Sequence, residues 1–298
     1  MDFQTFNPVN GTLRKYIDYY YFFKSDDPEF SSIYYSFPNI TTPLNIHRNI
    51  HAGLDLTGMG TRISGSEESN YMIILDQVRE IPLKVEWKGR LDKVTIVFKP
   101  LGLNNFITAP FAAAVPAPLH IFTAWDGLPG YADFLGAFYS GRENAERVAI
   151  LEDFLLTVYS PFSGQEILEK ALGLLSDFEE ALSVDRIAAA LGLTSRTFNR
   201  LFQKHTGMSP IGYKKVARFR QSLENKLFNE KLKKLTEIAY ESNFYDQSYF
   251  IKIYNKLAGT NPRAFFESIE KLGDDRLIFQ FLGAPAASGR KDTDCGRY

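Results

Sequence analysis

A segment duplicated in the last third of the chain constrains its fold more than any other feature. The first copy, residues 187–210, reads IAAALGLTSRTFNRLFQKHTGMSP, and the second, residues 238–262, reads IAYESNFYDQSYFIKIYNKLAGTNP. The two copies align residue by residue up to a central turn. The second copy has one additional residue at the turn, and beyond it the residues align again. Each copy has the pattern of a helix, a short turn and a second helix. The sequence therefore predicts two related helix-turn-helix units.

Turn and cap residues support this interpretation in both copies. Gly192 and Asn243 stand at the turn, where a residue that tolerates positive φ is needed. Ser195 and Asp246 are then suitable N-caps for the helix that follows. That second helix carries apolar residues at i, i+3 and i+4. They are Phe198, Leu201 and Phe202 in the first copy, and Phe250, Ile253 and Tyr254 in the second.

The opposite face of each second helix is polar. It carries Arg196, Asn199, Arg200, Gln203 and Lys204 in the first copy, and Gln247, Ser248, Lys252, Asn255 and Lys256 in the second. Arg and Lys can donate to guanine O6 and N7, and Asn and Gln can pair with adenine N6 and N7. A solvated amphipathic helix explains either copy alone equally well. Two copies in register favour DNA recognition.

A long helix is predicted between the copies, over residues 210–228. Ser209 is its N-cap and Pro210 its first helical residue. Its apolar side is formed by Ile211, Val216, Phe219 and Leu223. At about 1.5 Å per residue the helix is roughly 28 Å long, which is close to the ~34 Å between successive major-groove faces on one side of B-DNA. One chain can therefore place both second helices in adjacent turns of the groove.

The charge distribution favours a nucleic-acid partner only for the C-terminal part of the chain. Residues 176–272 contain 16 Lys plus Arg against 11 Asp plus Glu, whereas residues 1–175 contain 14 against 20. The formal net charge of the whole chain is only −1. A basic back half and an acidic front half indicate that one domain binds phosphates and the other has a different task.

The C-terminal hundred residues resemble the DNA-binding domain of AraC/XylS-type transcription regulators. The resemblance rests on IAAALGL, SRTFNRLFQKHTGMSP, LTEIA and the pattern F-x-D-Q-S-Y-F. Asn243, Ser222 and Tyr254 replace the usual Gly, Ala and Phe, and all three replacements are conservative. The family's domain consists of two helix-turn-helix units joined by a long helix, which is the arrangement predicted above.

This resemblance implies specific roles for the polar faces. The base-reading positions correspond to Arg196, Asn199 and Arg200 in the first unit and to Gln247, Ser248 and Lys252 in the second. Charge and expected exposure add Lys204, Lys214 and Lys256 as candidates for phosphate contacts, whereas His205 is expected to face the DNA backbone or solvent. The implied partners are double-stranded promoter DNA and RNA polymerase, and activation is the usual role of the family.

The front half reads mainly as short strands separated by turns. The clearest strands are residues 33–37, 71–75, 83–87 and 94–98, followed by helices over about 130–139 and 143–159. Regular short strands predict a barrel or sandwich, and this half resembles, less specifically, the cupin-like sensory domains of AraC-type regulators. We therefore expect an α+β chain with a β-rich cupin-like barrel and trailing helices at residues 1–165, an all-α DNA-binding domain at 166–272 and a disordered tail at 273–298.

The second of these trailing helices has an apolar stripe that allows two interpretations. The stripe consists of Val148, Leu151, Leu155 and Val158, with Phe154 beside it. It can pack on its own domain, or it can also pair with its twin in a homodimer. We expect a homodimer, because a second copy would read a further half-site.

A search for catalytic or metal-binding patterns is negative. His47 and His51 lack the His-x-His spacing and following carboxylate of a cupin metal site, so no metal is expected. There is no phosphate-binding loop and no nucleophile elbow. Cys295 is the only cysteine, which excludes an intrachain disulfide and fits a reducing compartment. We expect neither enzymatic activity nor a cofactor.

Residues 106–125 are almost uncharged and long enough to cross a bilayer. Pro110, Pro116 and Pro118 argue against a helix there, because each removes a backbone donor. A structured apolar loop is expected instead, able to form part of a ligand wall. No export signal is evident at the start, so the expected location is the cytoplasm, without membrane contact.

Three functions for the front half stay open: sensing a small-molecule effector or dimerising, binding another polypeptide, or a small fused enzyme. We favour the sensor over the other two functions. The fused enzyme is the weakest of the three, because the sequence lacks a catalytic constellation. Tyr35, Phe37, Trp87 and Phe98, with Arg48 for an anion, would suit a ligand. Core packing explains them equally well, so no pocket residue is assigned.

Overall fold

The computed structural model describes residues 2–228, 235–242, 244, 246–272 and 277–282. The strands are β1 (Asp2–Phe6), β2 (Ile17–Ser25), β3 (Ser31–Ser36), β4 (Thr42–Arg48), β5 (Ile50–Asp55), β6 (Gly60–Gly65), β7 (Tyr71–Asp76), β8 (Leu83–Lys88), β9 (Leu91–Phe98), β10 (Leu119–Ile121), β11 (Glu270–Leu272) and β12 (Leu277–Phe281). The helices are α1 (Leu13–Tyr16), α2 (Phe111–Ala114), α3 (Tyr131–Ser140), α4 (Asn144–Val158), α5 (Gln165–Ser176), α6 (Val184–Ala190), α7 (Ser195–Thr206), α8 (Pro210–Phe228), α9 (Leu235–Glu241), α10 (Gln247–Leu257) and α11 (Pro262–Ser268). A short 3-10 helix spans Gly102–Phe106.

The strands form two six-stranded sheets, as the expected β-rich front half requires. The first has the order β1-β2-β9-β4-β7-β10, and the second has the order β11-β12-β3-β8-β6-β5. Neighbouring strands run antiparallel except β6 and β8, which are parallel. Side chains of both sheets meet in one hydrophobic cluster that contains Phe23, Ile74, Ile63 and Trp87. The sheets therefore face each other, and all four predicted strands are confirmed as β3, β7, β8 and β9.

Helices α3 and α4 cover the outer face of the first sheet. Alternate residues of β4, β7 and β9, such as Leu44, Leu75 and Ile96, are fully buried against them. The apolar stripe of α4 packs into the same hydrophobic cluster, where Leu151 and Leu155 are completely buried. The stripe thus packs on its own domain.

The helical half has the predicted double helix-turn-helix arrangement. Gly192 has a φ of 69°, as the turn of the first unit requires. The N-cap of α7 is Thr194 rather than Ser195, since its hydroxyl accepts from the Thr197 amide. Asp246 caps α10 as predicted, by accepting from the Tyr249 amide at 2.7 Å. Asn243 lies outside the described residues.

Helix α8 has the predicted bounds and joins the two units. Val216, Phe219 and Leu223 are fully buried along it, and Ser209 accepts a bond from the Gly212 amide at its start. Ile211 departs from the prediction, because it is 56% exposed at the first turn. It lines an open cleft at the surface together with Lys214 of the same helix and Tyr249 of α10, so it is not enclosed by the core.

The two halves share a hydrophobic core. Phe37, Val78 and Leu101 of the front half belong to the same cluster as the buried residues of the helix-turn-helix units. The ring of Phe37 meets that of Phe265 on α11 edge to face, with centroids 4.8 Å apart. The boundary near residue 165 therefore separates segments of sequence but not independent cores.

Gly207 marks a point of close approach between the halves. It ends α7 with a φ of 71°, which favours glycine. A Cβ at this position would also collide with the side chain of Gln77 and crowd the ring of Phe111. Both the backbone geometry and the neighbouring domain therefore require a residue without a side chain.

The expected disordered tail is wrong for residues 277–282. β12 pairs antiparallel with β3, joining Phe279 to Ser36 and Phe281 to Tyr34, and it also pairs with β11. The rings of Tyr34 and Phe279 lie 4.8 Å apart. Residues 277–281 thus form a strand of the second sheet, which an interpretation based on the Gly- and Ala-rich composition of the remaining tail overlooked.

The apolar segment 106–125 is structured, as expected, and folds into α2, β10 and the loops around them. The indole of Trp125 donates to the Phe106 carbonyl at 2.7 Å. Within the described residues, no helix is both long and apolar enough to cross a membrane. Helix α2 packs against α7 of the helical half.

We expect Phe37→Ala to lower the free energy of unfolding by about 3 to 5 kcal/mol, because it leaves a cavity in the shared core. It should also speed proteolysis of the connecting residues 159–164 by loosening the two halves. Phe30→Ala is the matched control, since Phe30 is buried within the front half. That variant should lose stability without faster cleavage of the connection, and equal cleavage in both variants would contradict a shared core.

Candidate nucleic-acid interface

The first recognition helix, α7, is held by two aromatic anchors. Phe198 and Phe202 are fully buried, and the ring of Phe202 meets that of Tyr213 on α8 at 5.5 Å. With this face buried, the opposite face points outward, and Arg196, Arg200, Gln203 and Lys204 are all exposed. Asn199 is half-buried, and its amide donates to the Ser195 carbonyl at 2.8 Å.

The second recognition helix, α10, is anchored in the same way. Phe250 and Tyr254 are buried, the ring of Tyr254 meets that of Phe219 on α8 at 5.0 Å, and its hydroxyl lies 2.8 Å from the Ser222 hydroxyl. The outer residues Gln247, Ser248, Lys252, Asn255 and Lys256 are exposed. Both predicted base-reading faces are therefore accessible in this arrangement of the chain.

Ser222 and Tyr254 form a contact that accounts for both departures from the family pattern. The sequence marked them as two separate departures from the usual Ala and Phe of this position. In the structure their hydroxyls form one buried hydrogen bond, so neither polar group is left unpaired. The pair replaces an apolar contact between α8 and α10 with a polar one.

The three phosphate candidates have different surroundings. Lys204 is exposed. Lys214 donates to the Leu182 carbonyl at 2.6 Å and is only partly exposed. Lys256 is bound through its ammonium to the carboxylate of Glu80, which belongs to the front half. Lys204 is thus accessible to DNA and has no bonded partner among the residues that the structure describes, whereas Lys214 is bonded within its own domain and Lys256 to the front half.

Glu80 forms a charged contact between the two halves. Its carboxylate binds Lys256 of α10 and lies 3.7 Å from the ammonium of Lys215 on α8. Burial by itself would raise the pKa of Glu80, but the bond from Lys256 and the charge of Lys215 together lower it below its usual value. The stabilisation from this pairing is therefore present above the ordinary pKa of a glutamate and is lost as pH falls through the lowered one.

His205 does not face DNA or solvent, contrary to the expectation. Its ring is buried and stacks on Phe162, and its Nδ1 atom lies 3.1 Å from Oδ1 of Asn104. The amide of Asn104 also donates to the His205 carbonyl at 2.9 Å. The last turn of α7 is thus bonded to the front half, which removes His205 from the interface with DNA.

The candidate metal histidines do not converge. His47 is buried next to Trp87, while His51 on β5 is exposed. Burial, and then the neighbouring charge of Lys93, holds the pKa of His47 well below its usual value, so its ring is neutral. In the described part of the chain no group of three His, Cys, Asp or Glu side chains is arranged to hold a metal ion.

A cavity of about 70 Å³ lies between the two sheets, and sequence reasoning did not find it. Its polar lining includes Asn45, Asp76, Arg79, Lys93 and Arg220, the last contributed by α8. Of the residues that the sequence suggested for a ligand, Phe37 lines this cavity. Arg48 lies outside it, and its guanidinium donates to the Tyr139 carbonyl. The available signal was the charge of Asp76 and Lys93, which directly adjoin the predicted strands 71–75 and 94–98.

Comparison with known proteins supports the geometry of the helical half. A family model described as a helix-turn-helix domain matches residues 166–268. The HTH-type transcriptional activator RhaS of Escherichia fergusonii is 31% identical over 86 residues, which are 29% of this chain and 30% of that protein. RhaS of Enterobacter sp. is 29% identical over 97 residues, or 32% and 34% of the two chains.

Residues 166–268 are a helix-turn-helix domain, and the predicted resemblance of this segment to the AraC/XylS-type DNA-binding domain is confirmed. The match to RhaS extends over only about a third of the length of those relatives.

Solved structures of ToxT from Vibrio cholerae are similar over more of the chain. One, at 14% identity and a TM-score of 0.47, covers 90% of this chain and 98% of ToxT. Another, of ToxT with a bound unsaturated fatty acid, has 15% identity and a TM-score of 0.46, and covers 83% and 94% of the two chains. At this identity the similarity says nothing about what the front half of this chain binds.

We expect Glu80→Gln to raise affinity for DNA about two- to fivefold, because it releases Lys256 and Lys215 from a partly exposed ion pair. The slope of log K against log salt should steepen by about 1 for each additional phosphate that the protein neutralises. Fluorescence anisotropy on a selected DNA site, over a series of salt concentrations, measures both quantities.

Glu86→Gln is the control, since Glu86 pairs with Lys84 and Arg62 inside the front half. It should leave DNA binding unchanged. Equal affinities for Glu80→Gln and the unaltered protein would show that Lys256 has no role at the DNA.

Proposed function

We propose that the protein is a sequence-specific DNA-binding transcription regulator. The observation that supports this most directly is the pair of exposed polar faces on α7 and α10, each anchored by buried aromatic residues to the same helix α8. A rigid connection of about 28 Å suits two recognition helices that enter successive turns of the major groove. The function follows from a duplicated reading surface and not from any single residue.

Within this proposal, the two helices divide the reading of DNA between them. Arg196, Asn199 and Arg200 read base edges from α7, and Gln247, Ser248 and Lys252 read them from α10. Arg200 is the sharpest candidate, because it is exposed at the middle of the reading face and suits a guanine. Lys204 contacts phosphate, and Lys256 does so when it leaves Glu80.

The front half regulates this binding through its contacts with α7, α8 and α10. The contacts are the Asn104–His205 bonds, the Glu80 ion pairs and the shared core around Phe37. An effector that bound the front half could alter all three sets of contacts together. The cavity between the sheets, at about 70 Å³, favours a small molecule over a polypeptide as that effector.

Two further partners belong to the proposal. A homodimer would double the reading surface, since each chain already spans two turns of the groove. RNA polymerase is the partner through which such a regulator, bound at a promoter in the cytoplasm, would activate transcription.

We expect Arg200→Ala to lose roughly 1 to 3 kcal/mol of binding free energy on the preferred site and to relax base preference at one position. The site is first selected from a random DNA library, and affinities are then measured for each single-base variant. Lys204→Ala should instead weaken binding to all sequences about equally and reduce the salt slope by about 1.

Arg142→Ala supplies the matched control, because Arg142 is an exposed arginine of the front half. Its affinity and base preference should equal those of the unaltered protein. Retention of full base preference by Arg200→Ala would remove α7 as a reading helix.

A further inference from the structure

The two faces of the first sheet differ in chemistry. Towards α3 and α4 the sheet is apolar, with Leu44, Ile46, Ile73, Leu75, Val94 and Ile96 all buried. The alternate positions, which face the second sheet, include Asn45, Asp76, Lys93 and Thr95. Burying polar groups costs free energy unless they find partners. A group of buried polar and charged side chains beside the hydrophobic cluster of Phe23 and Trp87 therefore indicates a binding site in part of the space between the sheets.

Lys93 is the most unusual of these residues. Only 5% of it is exposed, and it lines the cavity between the sheets. Its ammonium lies 5.0 Å from the ring centroid of Tyr21 and 5.8 Å from that of Trp87. Among the described residues, none forms a salt bridge or hydrogen bond with it. Burial lowers the pKa of Lys93 to about 8, and Asp76 opposes that shift.

Two arginines add to the positive charge of the cavity. Arg79 donates to the carbonyl and the hydroxyl of Ser36, at 3.0 and 2.8 Å. Arg220 reaches across from α8 and donates to the carbonyls of Pro38 and Phe37, at 2.6 and 2.8 Å. These bonds orient both guanidinium groups with neutral acceptors. Burial, and then the charge of Arg79, lowers the pKa of Arg220 to about 10, which places the two guanidinium groups within electrostatic reach.

The charges that line the cavity do not balance. Asp76 is the single acidic residue among the lining residues, against Lys93, Arg79 and Arg220. Like charges in a buried space raise the free energy of the protein unless an anion accompanies them. Guanidinium groups match a carboxylate particularly well, because their paired donors meet its two oxygens.

We propose that this cavity binds a small organic carboxylate, whose oxygens meet Lys93 and the arginines and whose carbon atoms contact Tyr19, Tyr34 and Phe279. The proposal deepens the proposed function by naming the class of effector, and it rests on that function only for the regulatory consequence. The cavity of about 70 Å³ restricts the ligand to a compact molecule. Because Arg220 belongs to α8, the ligand would contact both halves of the chain.

The test uses the full chain and thermal unfolding at constant ionic strength. The probes are sodium benzoate, succinate and pyruvate, with sodium chloride and sodium phosphate for comparison. A carboxylate that binds should raise the unfolding midpoint by about 5 °C at ~100 times its dissociation constant. Titration calorimetry of that carboxylate then gives the stoichiometry, with one site per chain expected.

Lys93→Met is the informative variant, because Met fills a similar volume among the aromatic rings and removes a buried charge. It should fold with an unchanged or higher midpoint and lose the response to carboxylate at least tenfold. Lys88→Met is the matched control, since Lys88 is exposed on the neighbouring strand β8. It should respond like the unaltered protein.

Three results would overturn the proposal: no carboxylate raises the midpoint beyond chloride, Lys93→Met keeps the full response, or phosphate binds as tightly as every carboxylate. DNA binding is measured on the same preparations with a selected site. Intact DNA binding without a carboxylate response overturns the ligand site and leaves the proposed function standing. A carboxylate response without DNA binding supports the ligand site and overturns the proposed function.

Discussion

The burial of aromatic side chains along α8 is the interaction on which the rest of the structure depends. Tyr213 and Phe219 receive the anchors of α7 and α10, so this helix sets the separation of the two reading faces. A recognition helix of about three turns is marginal in water, and its stability comes from such packing. Any change that loosens these rings would alter the geometry of both helices together.

The same helix also connects the DNA-binding half to the front half. Arg220 on α8 donates to two carbonyl groups of the front half, and Lys215 lies beside Glu80. Phe37 extends the hydrophobic contact into the helical core. Ion pairs, hydrogen bonds and apolar contacts with the front half thus all involve α8. Ligand binding between the sheets can therefore change the positions of the recognition helices through this helix. The coupling needs no path of intermediate residues, because α8 itself touches both sites.

Local signals in the sequence predicted the secondary structure well where a side chain acts on its own backbone. The Gly192 turn, the Asp246 cap and the bounds of α8 are of this kind. The cap of α7 was misplaced by one residue because Thr194 and Ser195 are both suitable caps, and only the backbone conformation distinguishes them. The strand formed by 277–281 was missed because a strand gains its stability from its partners, and one of them, β3, lies more than two hundred residues away.

Two helix-turn-helix units with polar outer faces could be predicted from the sequence alone, because repeated spacing and periodic burial are properties of consecutive residues. The partners of those faces depend instead on how the chain folds in three dimensions. The tertiary structure bonded His205 to Asn104, paired Lys256 with Glu80, and brought Lys93, Arg79 and Arg220 to one cavity. Each of these contacts joins residues that are distant in the chain, and their free energy depends on burial and distance in space, which no local pattern encodes.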